Sequence, residues 1–201
     1  MRLASTLITA AIVSAVVSAV VMKTPALVDK YHAMTAPKDD PAFWVTPTIE
    51  GYGPVHNFED VAYKPAVGNG DPYKIVFFVN KQEVGPAQIN EGLDRVARAV
   101  NLYVGSGVPL NQLKFVAILT GGATPATLNN EQYRKINGVD NPNLPLIEKL
   151  RKAGVDVSVC DQSVAAHHYE TSWVDKSVTQ ALSGLTTVTV LEHQGYTFMP
   201  L

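Results

Sequence analysis

The side chains most able to act as nucleophile, base or metal ligand in this 201-residue chain are one cysteine, Cys160, and five histidines. A thiolate is both a nucleophile and a soft ligand. A single thiol excludes an internal disulfide framework and any zinc site built from several cysteines. Cys160 follows directly on the β-branched stretch 155–159, so it stands at the end of a predicted strand. If a helix starts at Asp161 or Gln162, its N–H groups and dipole point at the sulfur and lower the thiol pKa. The charge of Asp161 works the other way. The competing reading is a small buried hydrophobe closing the strand. His167 and His168 are adjacent, so they cannot share a helix face, and no histidine lies four residues from either. His56 and His193 are far away in sequence. The spacing therefore gives no metal motif, and no cofactor is expected. His167 lies one or two helical turns beyond Cys160, which makes it the candidate base of a Cys–His pair.

Other chemistries lack their signatures. There is no Gly-x-Ser-x-Gly elbow. Gly121-Gly122 has neither the glycine spacing nor the Lys-Ser/Thr of a phosphate cradle, and no dinucleotide fingerprint occurs. Lys plus Arg number 16 against 18 Asp plus Glu, a net charge of −2, which offers nucleic acid no basic face.

The elements that position Cys160 read as alternating strands and helices. Residues 73–79 form a short β-branched and aromatic run, the pattern of a buried parallel strand. Over 86–104, Ile89, Leu93, Val96, Ala97, Val100 and Tyr103 recur at helical spacing. A second strand is predicted over 114–119, a polar helix over 127–136, and a helix over 144–153 with Asn143 as its N-cap. The third strand is 155–159. Beyond it, 162–169 suits a helix start, 178–182 a short strand and 196–201 an edge strand. Residues 185–191 have strand propensity, yet Ser183 before them and Gly195 after them suit a capped helix equally. This order argues for βαβ units in a mostly parallel sheet, an α/β fold. Ligands of such sheets bind beyond the strand carboxyl ends. Here those ends are 80–86, 120–125 and 160–163.

Two segments precede this domain. Residues 3–22 are twenty uncharged, predominantly apolar residues, about 30 Å as a helix, which matches a bilayer core. The run serves as an uncleaved anchor or as a signal peptide; no clean small-residue cleavage site follows it. Ala11, Ala15 and Ala19 make a small-residue face that would admit a partner helix in a membrane complex. An exported domain follows, on the periplasmic side of the inner membrane, or soluble there after cleavage. Residues 24–72 form an arm punctuated by proline and glycine, yet it carries aromatic residues, with Trp44 the foremost anchoring contact. The expected organisation is therefore 1–23 anchor or signal, 24–72 arm and 73–201 α/β domain.

Several blocks, in order and spacing, resemble the DsrE/DsrF-like family of sulfur-relay proteins, in its exported branch with an N-terminal leader. They are the first strand, Arg95-Val96-Ala97-Arg98 with Asn101-Leu102, and Gly138-Val139-Asp140-Asn141-Pro142-Asn143-Leu144. They continue with Val159-Cys160-Asp161-Gln162-Ser163 and Gln194-Gly195-Tyr196. The arm contributes Phe43-Trp44, Thr46-Pro47, Gly51-Tyr52-Gly53 and Val55-His56. The resemblance implies a single domain with a five-stranded, mainly parallel sheet flanked by helices, and it favours a helix over 185–191. It implies homo- or hetero-oligomers and a sulfur-relay partner. It also implies that Cys160 accepts a persulfide sulfur and passes it on. Asp161 stands where the family often has glycine, and His167-His168 near its arginine; both changes would weaken stabilisation of a persulfide anion.

Overall fold

The structure, a computed structural model, describes residues 43–66 and 70–201. The 3–22 run and its small-residue face lie outside the described residues. Among the described residues, no helix is long and apolar enough to cross a membrane.

Residues Trp44–Leu201 form one compact unit. Its strands are β1 (Tyr73–Val79), β2 (Leu113–Leu119), β3 (Asp156–Cys160), β4 (Thr179–Ala181) and β5 (Thr197–Pro200). Its helices are α1 (Glu91–Gly105), α2 (Asn130–Asn137), α3 (Leu144–Lys152), α4 (Asp161–Ala166) and α5 (Gly184–His193). The sheet order is β4-β3-β2-β1-β5, and every pair is parallel. Both faces of the sheet are covered, which is why β1 and β2 read as continuous apolar runs. Side chains alternate between the faces. Phe77, Phe115, Leu119, Val157 and Val159 meet α1 and α3 through Leu93, Val96, Leu146 and Ile147. Val76, Val116, Ile118 and Cys160 lie on the opposite face, against Val188, Leu191 and Tyr196. The thiol thus faces α5 because Val159 faces the larger core.

Several boundaries differ from the sequence reading, each for a local reason. Helix α1 starts at Glu91, because Asn90 caps it by accepting from Gly92 N–H (3.0 Å) and Leu93 N–H (3.2 Å). The expected helix over 127–136 is split. A 3₁₀ segment, Gly121–Thr127, ends at extended Leu128, and Asn129 then caps α2 by accepting from Gln132 N–H (3.0 Å). Asn143 stands at the cap position of α3, but its side chain does not cap it. Its carbonyl accepts from Asn90 N–H (2.7 Å) and its amide donates to Asn141 Oδ1 (3.0 Å). Asn141 in turn donates to the carbonyls of Ala126 (2.9 Å) and Leu128 (2.7 Å). These buried asparagines tie the loops at the carboxyl end of the sheet together, and they belong to the block 138–144 noted above. Residues 185–191 are helical: Ser183 Oγ accepts from Leu185 N–H (3.1 Å), and Gly195 leaves the helix at φ 84°.

The arm is held by aliphatic residues and by one of its rings, Tyr52, which packs against the core. Ile49 and Val55 are 1% and 2% exposed, whereas Trp44, Phe58 and Tyr63 are largely exposed. Trp44 packs edge-on to His56, 6.3 Å between ring centres. Buried Asn101 of α1 clamps the segment: Oδ1 accepts from the N–H groups of Thr48 (3.1 Å) and Ile49 (2.8 Å). Its amide donates to the carbonyls of Tyr52 and Gly53, both at 2.9 Å. Gly53, at φ +54°, lies so close to α1 that a Cβ would stand 2.1 Å from Arg98 N.

Candidate functional site

Cys160 is the last residue of β3 and the residue from which α4 starts. It is a free thiol, 4% exposed. The parallel register sets Cys160 opposite Ala181 and Val159 opposite Leu119, so Thr120 at the end of β2 falls beside the thiol. Burial pushes the thiol pKa up. Gly184 N–H, Ser163 N–H and the Ser163–Thr120 hydroxyl pair, which has one proton left for the sulfur, outweigh that burial and hold it below its ordinary value. The sulfur makes no capping hydrogen bond of ordinary geometry to α4, so these donors act as a surrounding polar shell. Gly184 is the first residue of α5, so a second helix start faces the sulfur. A Cβ at Gly184 would come within 3.2 Å of the Phe78 ring; glycine permits the close approach.

The shell is itself tied together. Ser163 Oγ lies 2.8 Å from Thr120 Oγ1 and accepts from Gly121 N–H at 2.9 Å. Gln162 donates to the Leu182 carbonyl (3.2 Å), joining α4 to the turn before α5. Asp161 Oδ1 is buried without a partner, and burial raises this carboxyl's pKa.

His167 is turned to other work. Its Nε2–H donates to the Gly121 carbonyl (2.9 Å), and its ring stacks on Tyr169 at 5.3 Å. The thiol's polar neighbours are Gly184, Ser163 and Thr120 rather than this imidazole. His168 adopts φ 57° at the end of the same turn. Among the described residues, no three His, Cys, Asp or Glu side chains converge to hold a metal ion.

In the sequence, Thr120 and Ser163 fall in strand-end loops with no role marked. Gly184 is not marked there either. The signal for Ser163 was its place three residues after Cys160, where a first-turn hydroxyl can turn back. Gly184 carried no such signal, because only the seating of α5 brings it to the sulfur.

An all-parallel α/β sheet with a buried free thiol at a strand carboxyl end defines the class. The chain belongs to the DsrE/DsrF-like family, whose model matches residues 74–201. No curated protein matches the chain. A solved protein of unknown function from Methanobacterium thermoautotrophicum is similar to it, with 12% identity and a TM-score of 0.45. That match covers 64% of this chain and 99% of the other.

Proposed function

We propose that the protein is an exported, membrane-tethered persulfide carrier acting through Cys160. The observation that carries this reading is the chain's one free thiol placed at the carboxyl end of β3, where α4 starts, with Gly184, Ser163 and Thr120 about it favouring its thiolate. The same donors suit the Cys160 thiolate that attacks the donor and is released again at the end of the transfer, because they are fixed before that charge forms. They also stand in for the guanidinium that the family resemblance led one to expect. In the step itself, the Cys160 thiolate attacks the outer sulfur of a donor persulfide. The donor S–S bond breaks, its electron pair leaves on the donor thiolate, and a new S–S bond forms at Cys160. An acceptor thiolate then attacks the same outer sulfur and regenerates Cys160. The sequence is redox-neutral and follows thiol–disulfide exchange. Because Cys160 is 4% exposed, transfer requires the side chains that cover the thiol to move aside. His167 acts as a positioning residue for Gly121 in this scheme, not as a base.

Intact mass measurement after treatment with a persulfide donor tests the proposal. One added sulfur is expected on the wild type and none on Cys160→Ser. No gain on the wild type, or an equal gain on the variant, overturns it.

The near-complete burial of the thiol also favours a second reading, an accessory subunit without transfer chemistry. The Ala11/Ala15/Ala19 face and the Trp44 arm would then hold it in a membrane complex, or oligomer contacts would form on the exposed Leu182, Leu185 and Val190. Mild detergent extraction tests this reading: stable co-purifying membrane subunits are expected, and a partner-free protein released without detergent contradicts it.

A further inference from the structure

The arm presents exposed rings at one end of the domain. Helix α1 runs back from the carboxyl end of β1 to the start of β2, so its last residue, Gly105, marks the amino end of the sheet. A Cβ on Gly105 would lie 3.4 Å from Asn57 Oδ1 and 3.9 Å from Pro47 Cγ. Further along, Ala66 exchanges hydrogen bonds with the hydroxyl of Tyr73, the first residue of β1, at 2.8 and 3.2 Å. The stretch 58–65 between them therefore lies at the amino end, whereas Cys160 stands at the carboxyl end. Phe58 is 61% exposed and Tyr63 wholly so, with Val61 and Trp44 about half exposed. These side chains are held in place. Phe58 packs edge-on to His56 at 4.8 Å, and His56 edge-on to Trp44. Val45 and Val55 exchange two backbone hydrogen bonds beside these rings, both at 2.9 Å. Lys64 Nζ donates to the Phe58 carbonyl (3.3 Å) across the 58–64 loop. An exposed apolar patch of this kind marks a contact surface, and fixing it beforehand lowers the entropy lost on contact.

We propose that this face rests on the surface of a lipid bilayer, with its rings at headgroup level and Cys160 turned to the aqueous phase at the far end of the sheet. The proposal rests on the membrane-tethered reading above. The sequence argues for lipid as the occupant. The apolar run 3–22 ends twenty residues before Phe43, at most about 70 Å of extended chain. Contact with the same bilayer is then intramolecular, and a small patch suffices. Trp and Tyr join an apolar ring to a polar group, the combination enriched where membrane meets water. The charges beside the rings, Glu59 and Asp60 against Lys64, offer an anionic headgroup no basic cluster, so rings rather than charge make the contact. A sulfur-relay partner approaches the thiol from the aqueous side.

The full chain reconstituted into phosphatidylcholine vesicles tests the proposal, with flotation reporting the tether. The chain has two tryptophans, which read separate places. Trp173→Phe leaves Trp44 as reporter. Trp44→Phe leaves Trp173, which packs on Tyr169 beside the carboxyl-end loops. With lipids brominated near the headgroup, Trp44 fluorescence should be quenched and Trp173 fluorescence should not. The quenching should survive high salt, which screens exposed charges. Phe58→Asp combined with Tyr63→Asp, both at exposed positions, should abolish it while the chain still floats. Flotation without Trp44 quenching, equal quenching of both tryptophans, loss of quenching in high salt, or quenching unchanged by the double substitution overturns the proposal and leaves the tethered reading standing. A chain that does not float overturns both.

Discussion

At the scale of single residues, the account turns on what surrounds one sulfur and one carboxylate. Cys160 was legible from its sequence because a β-branched run stops at it and a polar turn follows. Its donors were not, because Thr120 comes from β2 and Gly184 from α5, brought in by tertiary packing. Asp161 was read as an opponent of the thiolate. The structure gives it a second consequence, since Oδ1 is buried without a partner and burial raises its pKa. A carboxyl whose folded pKa lies above its unfolded value contributes stability below the unfolded pKa and loses it as pH rises through the folded one. Asp161→Asn should therefore raise the stability measured by urea denaturation at pH 7, with the gain shrinking as the pH falls through the raised folded pKa and gone below the ordinary value of about 4. A variant less stable than wild type at pH 7 would contradict this.

Two side chains govern how whole elements sit. Asn101 offers four hydrogen bonds to the arm from the middle of α1. The sequence showed it only as part of a block, because a buried polar residue on a helix does not announce its partner. Asn101→Ala leaves buried backbone groups unmet, at about 1–3 kcal/mol for each orphaned group. It should lower the melting temperature and open the 44–58 segment to limited proteolysis before the rest of the domain. Ser183 decides the character of the following stretch. The β-branched residues of 185–191 favour a strand, but the Ser183 cap and Gly195 exit close a helix instead. Ser183→Ala should cost about 1 kcal/mol. Because α5 starts beside the sulfur, the thiol pKa should rise with it, readable from the pH dependence of thiolate absorbance.

At the scale of the whole molecule, the α/β pattern and the strand ends could be read from the sequence. Short apolar runs alternating with amphipathic helices leave few other arrangements. What could not be read was the part the arm plays in the domain. Its prolines and glycines signal irregular backbone, which says nothing about where isolated aliphatics such as Ile49 and Val55 go. Both are core residues of the Trp44–Leu201 unit. A chain starting at Trp44 should fold with near-native stability. A chain starting at Tyr73 should lose about 1.5–3 kcal/mol for each of the two side chains, beyond the orphaned Asn101. Comparable denaturation midpoints for the two chains would show that the arm is a mere attachment. The exposed Leu182, Leu185 and Val190 belong to this scale as well. If the domain associates through them, Leu185→Glu should shift sedimentation toward the monomer.

The proposed sulfur transfer depends on fixed donors favouring the Cys160 thiolate despite burial. With one cysteine in the chain, the ultraviolet absorbance of the thiolate, taken as the difference from Cys160→Ser, titrates that group alone. The expected midpoint lies below that of an unperturbed thiol, and it should move upward in Ser163→Ala. A wild-type midpoint at or above the ordinary value, unmoved by Ser163→Ala, would contradict the account.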